Sequence, residues 1–463
     1  MSTESSVRRR WSFLAVFVAS VGALLLVAVL GAGASVAQGP RVTAVLADPV
    51  AAAGTSGSRV IFTANQPLAA VDAEQVTVDP IVPFTVDTSG RSVGVRFSEP
   101  LADGSRYTIT IDGVSGLSGT ATSRFETVVD TPPVEVYMLE RSDSEDDRIY
   151  RAGFEDDERV TVFEHPRIED FRQSPRGLVV STTNDQGDSD LFIVPVDGRE
   201  AVEVKLPGVG RLSRLQLSDS GDRIAYTWTD PAIEGLPARD SVVYLSSTAS
   251  PEATPSRLDL GGADPRIDDF RFVQGTRSLL LITRGKDLLL ADTVTGGEPT
   301  RLGQATLIDE VARDEPIAVV RTEEGPEEVD LRTGDRTPLA VDHPEYGRPF
   351  AAEKVVGRGI LSTYLAIDEG GSLSRQTLVL ANGSGSERLV ADVPVSDAVI
   401  QVCAAPSGRF VAVTVAPDIA TNTVDDAVLA MPREMVTRVI PLEDGDPREL
   451  PGFAISWCRG PAS

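Results

Sequence analysis

Residues 167–198 read RIEDFRQSPRGLVVSTTNDQGDSDLFIVPVDG. Ile168–Phe171 reads as a short strand and Ser174-Pro175-Arg176-Gly177 as a turn, followed by a strand at Leu178–Thr182. An acidic loop, Asn184–Asp190, leads to a strand at Leu191–Val196 and an Asp197-Gly198 turn. The unit recurs: Arg266-Ile267-Asp268-Asp269-Phe270 repeats Arg167-Ile168-Glu169-Asp170-Phe171 almost letter for letter. Self-similarity at a period of about 40–50 residues, with several strands per unit, predicts a β-propeller.

Working outward, six such units follow from Arg167, Arg211, Arg266, Thr306, Pro349 and Ala398. Several end in a glycine turn between two strands and then a leucine, as in Leu331–Leu339 and Leu442–Leu450; the glycine supplies the positive φ of a hairpin. One fragment remains at each end. Phe453–Cys458 (FAISWC) reads as a first strand with no blade after it, and Val134–Leu139, Ile149–Ala152 and Arg159–Phe163 as outer strands with no first strand before them. Joined, they make a seventh blade and remove two sheet edges; six blades is the alternative. Cys403 and Cys458 then occupy equivalent positions on adjacent inner strands. In an exported protein they are expected to form a disulfide that clips the closing strand to its neighbour.

The N-terminus argues for export. Arg8-Arg9-Arg10 precedes Trp11–Leu30, twenty residues without a charge, enough to cross about 30 Å of hydrocarbon. Residues 1–10 are expected to be a cytoplasmic tail, 11–31 a transmembrane helix or signal anchor, and 32–40 a linker, with everything beyond outside the cell. The alternative is a signal peptide cleaved near Ala37. Net charge is −26 and aromatics are 5% of 463 residues, which disfavours nucleic acid as a partner.

Residues 41–130 carry about seven short strands bounded by turns, the pattern of a β-sandwich. Leu101-x-Asp103-Gly104-x-x-Tyr107 reads as a tyrosine corner, in which the Tyr hydroxyl bonds upstream backbone. Ile61-Phe62, Gln66-Pro67-Leu68, Val95-x-Phe97, Pro100-Leu101 and Phe125-x-Thr127 resemble the bacterial Ig-like domains of surface-layer and other exported proteins. That resemblance implies a spacer or adhesion module without catalytic residues. Residues 131–133 (Thr-Pro-Pro) form a stiff linker. Across 134–460, the Ser174-Pro175-x-Gly177 turn, Asp188-x-Asp190-Leu191-Phe192-Ile193-Val194 and the Ala405-Pro406-Ser407-Gly408 turn resemble TolB-like and WD40-like bacterial propellers. This resemblance implies a binding platform and leaves the ligand open. The fold class is therefore all-β: N-terminal helix, Ig-like sandwich, propeller.

Chemistry is sparse in the sequence. No G-x-S-x-G elbow, Walker A loop or dinucleotide fingerprint occurs. His165 and His343 are too far apart in the chain to suggest a metal triad. The best ion candidate is a weak calcium loop, Asp185, Asp188 and Asp190, which lacks the EF-hand spacing. The longest connections lie between second and third strands of their blades and emerge on one face. Asp185, Trp228, Asp230, Asp368, Asp418 and Asp425 mark that face as the expected partner surface. No cofactor is expected. These readings predict a non-enzymatic, membrane-tethered interaction or scaffold protein that binds an envelope protein or polymer. The alternative is a propeller enzyme or sensor acting on an envelope polymer.

Overall fold

The structure is a computed structural model. It describes residues 17–18, 20–22 and 39–458, apart from 55–56, 118–120, 155–157, 175–176, 232–238, 313–314, 340–342, 383–384 and 444–445. The expected tail, most of the expected span 11–31 and the cleavage position near Ala37 fall outside the described residues, as do Pro175 and Arg176 of the type unit's turn. Among the described residues no helix is long and apolar enough to cross a membrane. The chain divides into two compact units, Met1–Pro132 and Pro133–Ser463.

Among the described residues, seven strands in two antiparallel sheets build the first unit. One sheet runs in the order Val42–Leu46, Arg59–Ala64, Ser92–Phe97, Phe84–Ser89; the other in the order Val76–Asp79, Arg106–Ser115, Thr122–Asp130. In Arg59–Ala64 the alternation sends Val60, Phe62 and Ala64 inward, each at most 1% exposed, because successive side chains of a strand face opposite sides. Phe62 and Phe125 meet between the sheets with ring centroids 6.1 Å apart. Burying each ring contributes about 1.5–3 kcal/mol. At the corner after Phe97, the backbone N–H of Ala102 donates to the Tyr107 hydroxyl at 2.9 Å.

The second unit holds seven sheets among the described residues, one with three strands and six with four. Each four-stranded sheet uses consecutive strands in chain order: an up-and-down blade. Blade 1 is Ile168–Ser174, Gly177–Thr183, Ser189–Pro195 and Val202–Glu203. Blade 2 runs from Arg211–Leu217 to Ser256–Arg257, blade 3 from Ile267–Phe272 to Thr300–Gln304, and blade 4 from Leu307–Val311 to Arg336–Pro338. Blade 5 runs from Arg348–Val355 to Glu387–Val393 and blade 6 from Ala398–Ala404 to Arg448–Pro451. The first strands of blades 1 to 6 adjoin one another in succession, so the arrangement is a β-propeller. Second strands such as Gly177–Thr183 are buried along their whole length, because they are covered by blades on both faces.

The repeated motif has a local cause. At Asp170 and Asp269 the first strand shifts register against the second. The Asp170 carboxylate accepts the Phe171 N–H at 2.8 Å and pairs with Arg172 at 2.5 Å, while Arg172 donates to the Phe171 carbonyl. Asp269 repeats this with Phe270 N–H at 3.0 Å and Arg271 at 2.6 Å. The bulge leaves backbone groups without ladder partners, and the aspartate–arginine pair satisfies them. Burial pushes the Asp170 carboxyl above its usual range even beside Arg172.

Blade 7 comprises Glu135–Glu140, Asp147–Gly153 and Arg159–His165. Its innermost position is taken by the C-terminal segment, but not as the regular strand read from FAISWC. Leu139 and Phe453 exchange N–H···O bonds of 3.0 and 2.9 Å in a single antiparallel bridge, and Ser456 N–H reaches the Tyr137 carbonyl at 2.9 Å. Between them Ala454 has φ of 55°, which breaks the ladder. Gly452 before it has φ of 88°, and a Cβ there would lie 2.2 Å from the Leu139 carbonyl oxygen, so only glycine fits the approach. Cys458 is disulfide-bonded to Cys403 on the first strand of blade 6, their Cα atoms 5.6 Å apart and 55 residues apart in sequence.

Two stability effects are expected. Tyr107→Phe strands the Ala102 amide and should cost about 1–3 kcal/mol, read as a lower urea midpoint of the first unit's transition. Cys403→Ser or Cys458→Ser should lower the stability of the propeller by about 4 kcal/mol, the chain-entropy value for a loop of that length. Reduction of the wild type with dithiothreitol should reproduce the shift, and equal midpoints for oxidised wild type and variant would refute it.

Candidate functional site

Connections between second and third strands share one face of the propeller, and on it lies a groove of about 1080 Å³ over the ring closure. Its walls come from blade 7, from the start of blade 1 and from the long blade 6 connection between Phe410–Ala416 and Val436–Pro441. Glu140, Asp143, Glu145, Asp146, Asp147, Asp425, Asp426 and Glu434 line it, against Arg141, Arg167 and Arg433. Eight carboxylates facing three guanidiniums give it a negative potential.

Arg141 is spent internally. Its side chain is only 10% exposed and bonds the Ile168 carbonyl (3.0 Å), the Glu169 carbonyl (2.9 Å), the Leu429 carbonyl (2.9 Å) and the Asp425 carboxylate (2.8 Å). The guanidinium also lies 5.1 Å from the centre of the Phe453 ring, within cation–π range. Glu169 completes the cluster by accepting the Val428 and Leu429 N–H groups at 3.1 and 2.9 Å. Asp425 accepts the Ala427 and Met431 N–H groups at 3.2 and 3.1 Å. One arginine from blade 7 thus ties the blade 6 connection to the inner strand of blade 1. Beneath it, Leu429, Met431 and Met435 pack with Phe453, Ile168 and Phe171. Burial pushes the Asp147 carboxyl up, although it accepts N–H bonds from Ile168 and Ser142.

The residues read as a partner surface separate under this geometry. Asp185, Asp368 and Asp418 are exposed. Trp228 is not a contact residue: it is fully buried, and its indole N–H donates to Asp230 at 3.0 Å. Its hydrophobic bulk fills the blade 2 core with Tyr226 and Tyr244. Asp230 is held by Arg239 at 2.5 Å, which lowers its carboxyl to about 2. Asp425 is a clamp for its own loop, 12% exposed at the side chain. Asp185, Asp188 and Asp190 do not converge as calcium ligands. The loop is shaped by the Asn184 side chain, which accepts the Gln186 and Asp188 N–H groups, both at 3.1 Å. Among the described residues, the side chains that gather as metal-ligand candidates are His343, Glu345 and Glu387 instead. His165 is occupied by the Arg167 backbone and stacks on Phe163.

Sequence reasoning missed Arg141, Glu169 and the His343 cluster. One signal was visible for Glu169. Within otherwise matching motifs it replaces Asp268, which pairs with Arg284 and Lys286 of its own blade. The extra methylene lets Glu169 reach the amides of another blade.

No protein-family model matches this chain, and no curated protein does. Among solved structures, it is similar to a TolB protein from Agrobacterium tumefaciens at 15% identity over 69% of this chain and 90% of that one, with a TM-score of 0.34. A prolyl endopeptidase matches at 12% identity over 77% of this chain and 49% of that one, with a TM-score of 0.50. An acylaminoacyl peptidase from Pyrococcus horikoshii matches at 12% identity over 74% of this chain and 50% of that one, with a TM-score of 0.43. The chain spans about half the length of the two peptidases, and the likeness to the prolyl endopeptidase shows a shared propeller fold and nothing of its activity.

Arg141→Ala leaves Glu169 and Asp425 buried without their cation and should cost about 3–5 kcal/mol. Limited proteolysis should cut the blade 6 connection within residues 417–435 first. An unchanged urea midpoint with a protected connection would show that Arg141 does not hold it.

Proposed function

We propose that this protein is a non-enzymatic, membrane-tethered, extracytoplasmic interaction protein. In this reading residues 11–31 anchor the chain, residues 41–130 form a bacterial Ig-like spacer, and the TolB-like, WD40-like propeller captures an envelope protein or polymer. The observation that carries the proposal is the acidic groove on the loop face, built on rigid strands and lined by Asp143, Asp146, Asp426 and Glu434 at exposed positions. Function collects on loops held by such scaffolds. The groove's surplus of carboxylates favours a cationic segment, a lysine- or arginine-bearing peptide or an amine-bearing polymer. The surplus survives the groove's guanidiniums: Arg433 pairs with Asp143 and Arg167 with Asp426, Arg141 is neutralised within the fold, and Glu145, Asp146 and Glu434 stand at exposed positions beyond those pairs.

Photo-crosslinking in native membranes tests the reading. A benzophenone side chain at Asp426 should give a discrete adduct. The adduct should weaken in 0.5 M salt, because the Debye length falls to a few ångströms, and vanish with Asp143→Lys and Asp146→Lys together. The same probe at Asp335, in a third-to-fourth-strand turn on the other face, should give none. An adduct insensitive to charge reversal, or one equally formed from Asp335, would remove the groove from the proposal.

A further inference from the structure

The linker from blade 4 to blade 5 carries His343 and Glu345, and the outer strand of blade 5, Glu387–Val393, begins with Glu387. The fold brings these three side chains together although Glu387 lies more than forty residues along the chain. His343 Nδ1 is 2.9 Å from Glu387 Oε1 and 3.5 Å from Glu345 Oε1. One ligand atom of each residue falls within 4.8 Å of the others. Tyr346 and Tyr364 wall the site, their ring centroids 6.2 and 6.1 Å from the imidazole.

We propose that His343, Glu345 and Glu387 form a binding site for a divalent cation of the zinc class. Zinc bonds of 2.0–2.2 Å in tetrahedral array place ligand atoms about 3.3 Å apart, and the two N···O edges of 2.9 and 3.5 Å bracket that length. An imidazole nitrogen with two carboxylates is a borderline donor set; calcium takes six to eight oxygens at longer distances. Two carboxylates converging on one imidazole also bring negative charge that a divalent cation would balance.

A second observation points the same way. Tyr364 is fully buried, and its hydroxyl has no hydrogen-bond partner. The phenol ring packs against the His343 imidazole and the Tyr346 ring, as a buried wall of the site. Three protein ligands leave a fourth position for water. The cation would staple the linker between blades 4 and 5 to the outer edge of blade 5.

The full chain in detergent, stripped with chelator, is titrated with zinc chloride alone by isothermal titration calorimetry. One saturable equivalent is expected, with a melting temperature that rises with zinc concentration and protons released on binding. Both His343→Ala and Glu387→Gln should weaken binding at least tenfold, whereas His165→Ala should bind as wild type. Glu345→Gln, with a side chain over half exposed, tests the site if His343→Ala fails to fold. No saturable equivalent in the wild type, or several weak ones unaffected by the His343 and Glu345 changes, would overturn the site and leave an ion pair only.

Discussion

The mutual N–H···O exchange between Leu139 and Phe453 is the contact that turns a row of sheets into a ring. A propeller blade buries both faces only if it has a neighbour on each side, so an open ring would expose two faces and two sheet edges. Closure here is brief in hydrogen bonds and reinforced covalently. The backbone pairing covers a single bridge because Ala454 departs from extended geometry, and the Cys403–Cys458 bond holds the same segment to blade 6. A bulged segment with a disulfide thus does what a full strand would otherwise do.

The same need recurs at the other joints. Inner strands splay apart around the ring, so one N–H near each strand is offered to the preceding blade. Asp147 receives it from Ile168, Ser189 from Leu212, Asp269 from Ile308, Glu310 from Lys354 and Glu353 from Ala404, at 2.5–3.0 Å. Between blades 2 and 3 the Ser241 carbonyl serves instead, at 2.9 Å. Short polar side chains thus satisfy amides that would otherwise be buried without partners. This accounts for part of the acidity of the chain: several carboxylates are structural acceptors between blades.

Arg141 links closure to the loop face. Burying a guanidinium with two carboxylates gains little net stability over apolar packing, but its geometry admits one arrangement of the parts it joins. Here those parts are the blade 6 connection, the blade 1 inner strand and the Phe453 ring. The groove wall is therefore set by the same residues that complete the ring. Packing, polar satisfaction and the candidate partner surface meet in one cluster.

The architecture could be read along the chain because it rests on local rules. The Tyr107 spacing announced the corner, and Arg167–Phe171 recurred at Arg266–Phe270. The unmatched strands at the two ends pointed to a closing blade. These signals survive in one dimension because strand period and turn chemistry depend on near neighbours. Trp228, Asp425, Glu169 and the His343–Glu345–Glu387 cluster could not be read that way. Whether a tryptophan in a loop-flanked strand faces a partner or a core depends on which blade packs over it. Whether an aspartate is free or clamped depends on an arginine almost three hundred residues away. The order of strands was thus determined by the sequence alone. Which carboxylates answer to solvent and which to their own chain was decided by ring closure, since only the closed ring brings distant charges within hydrogen-bonding distance.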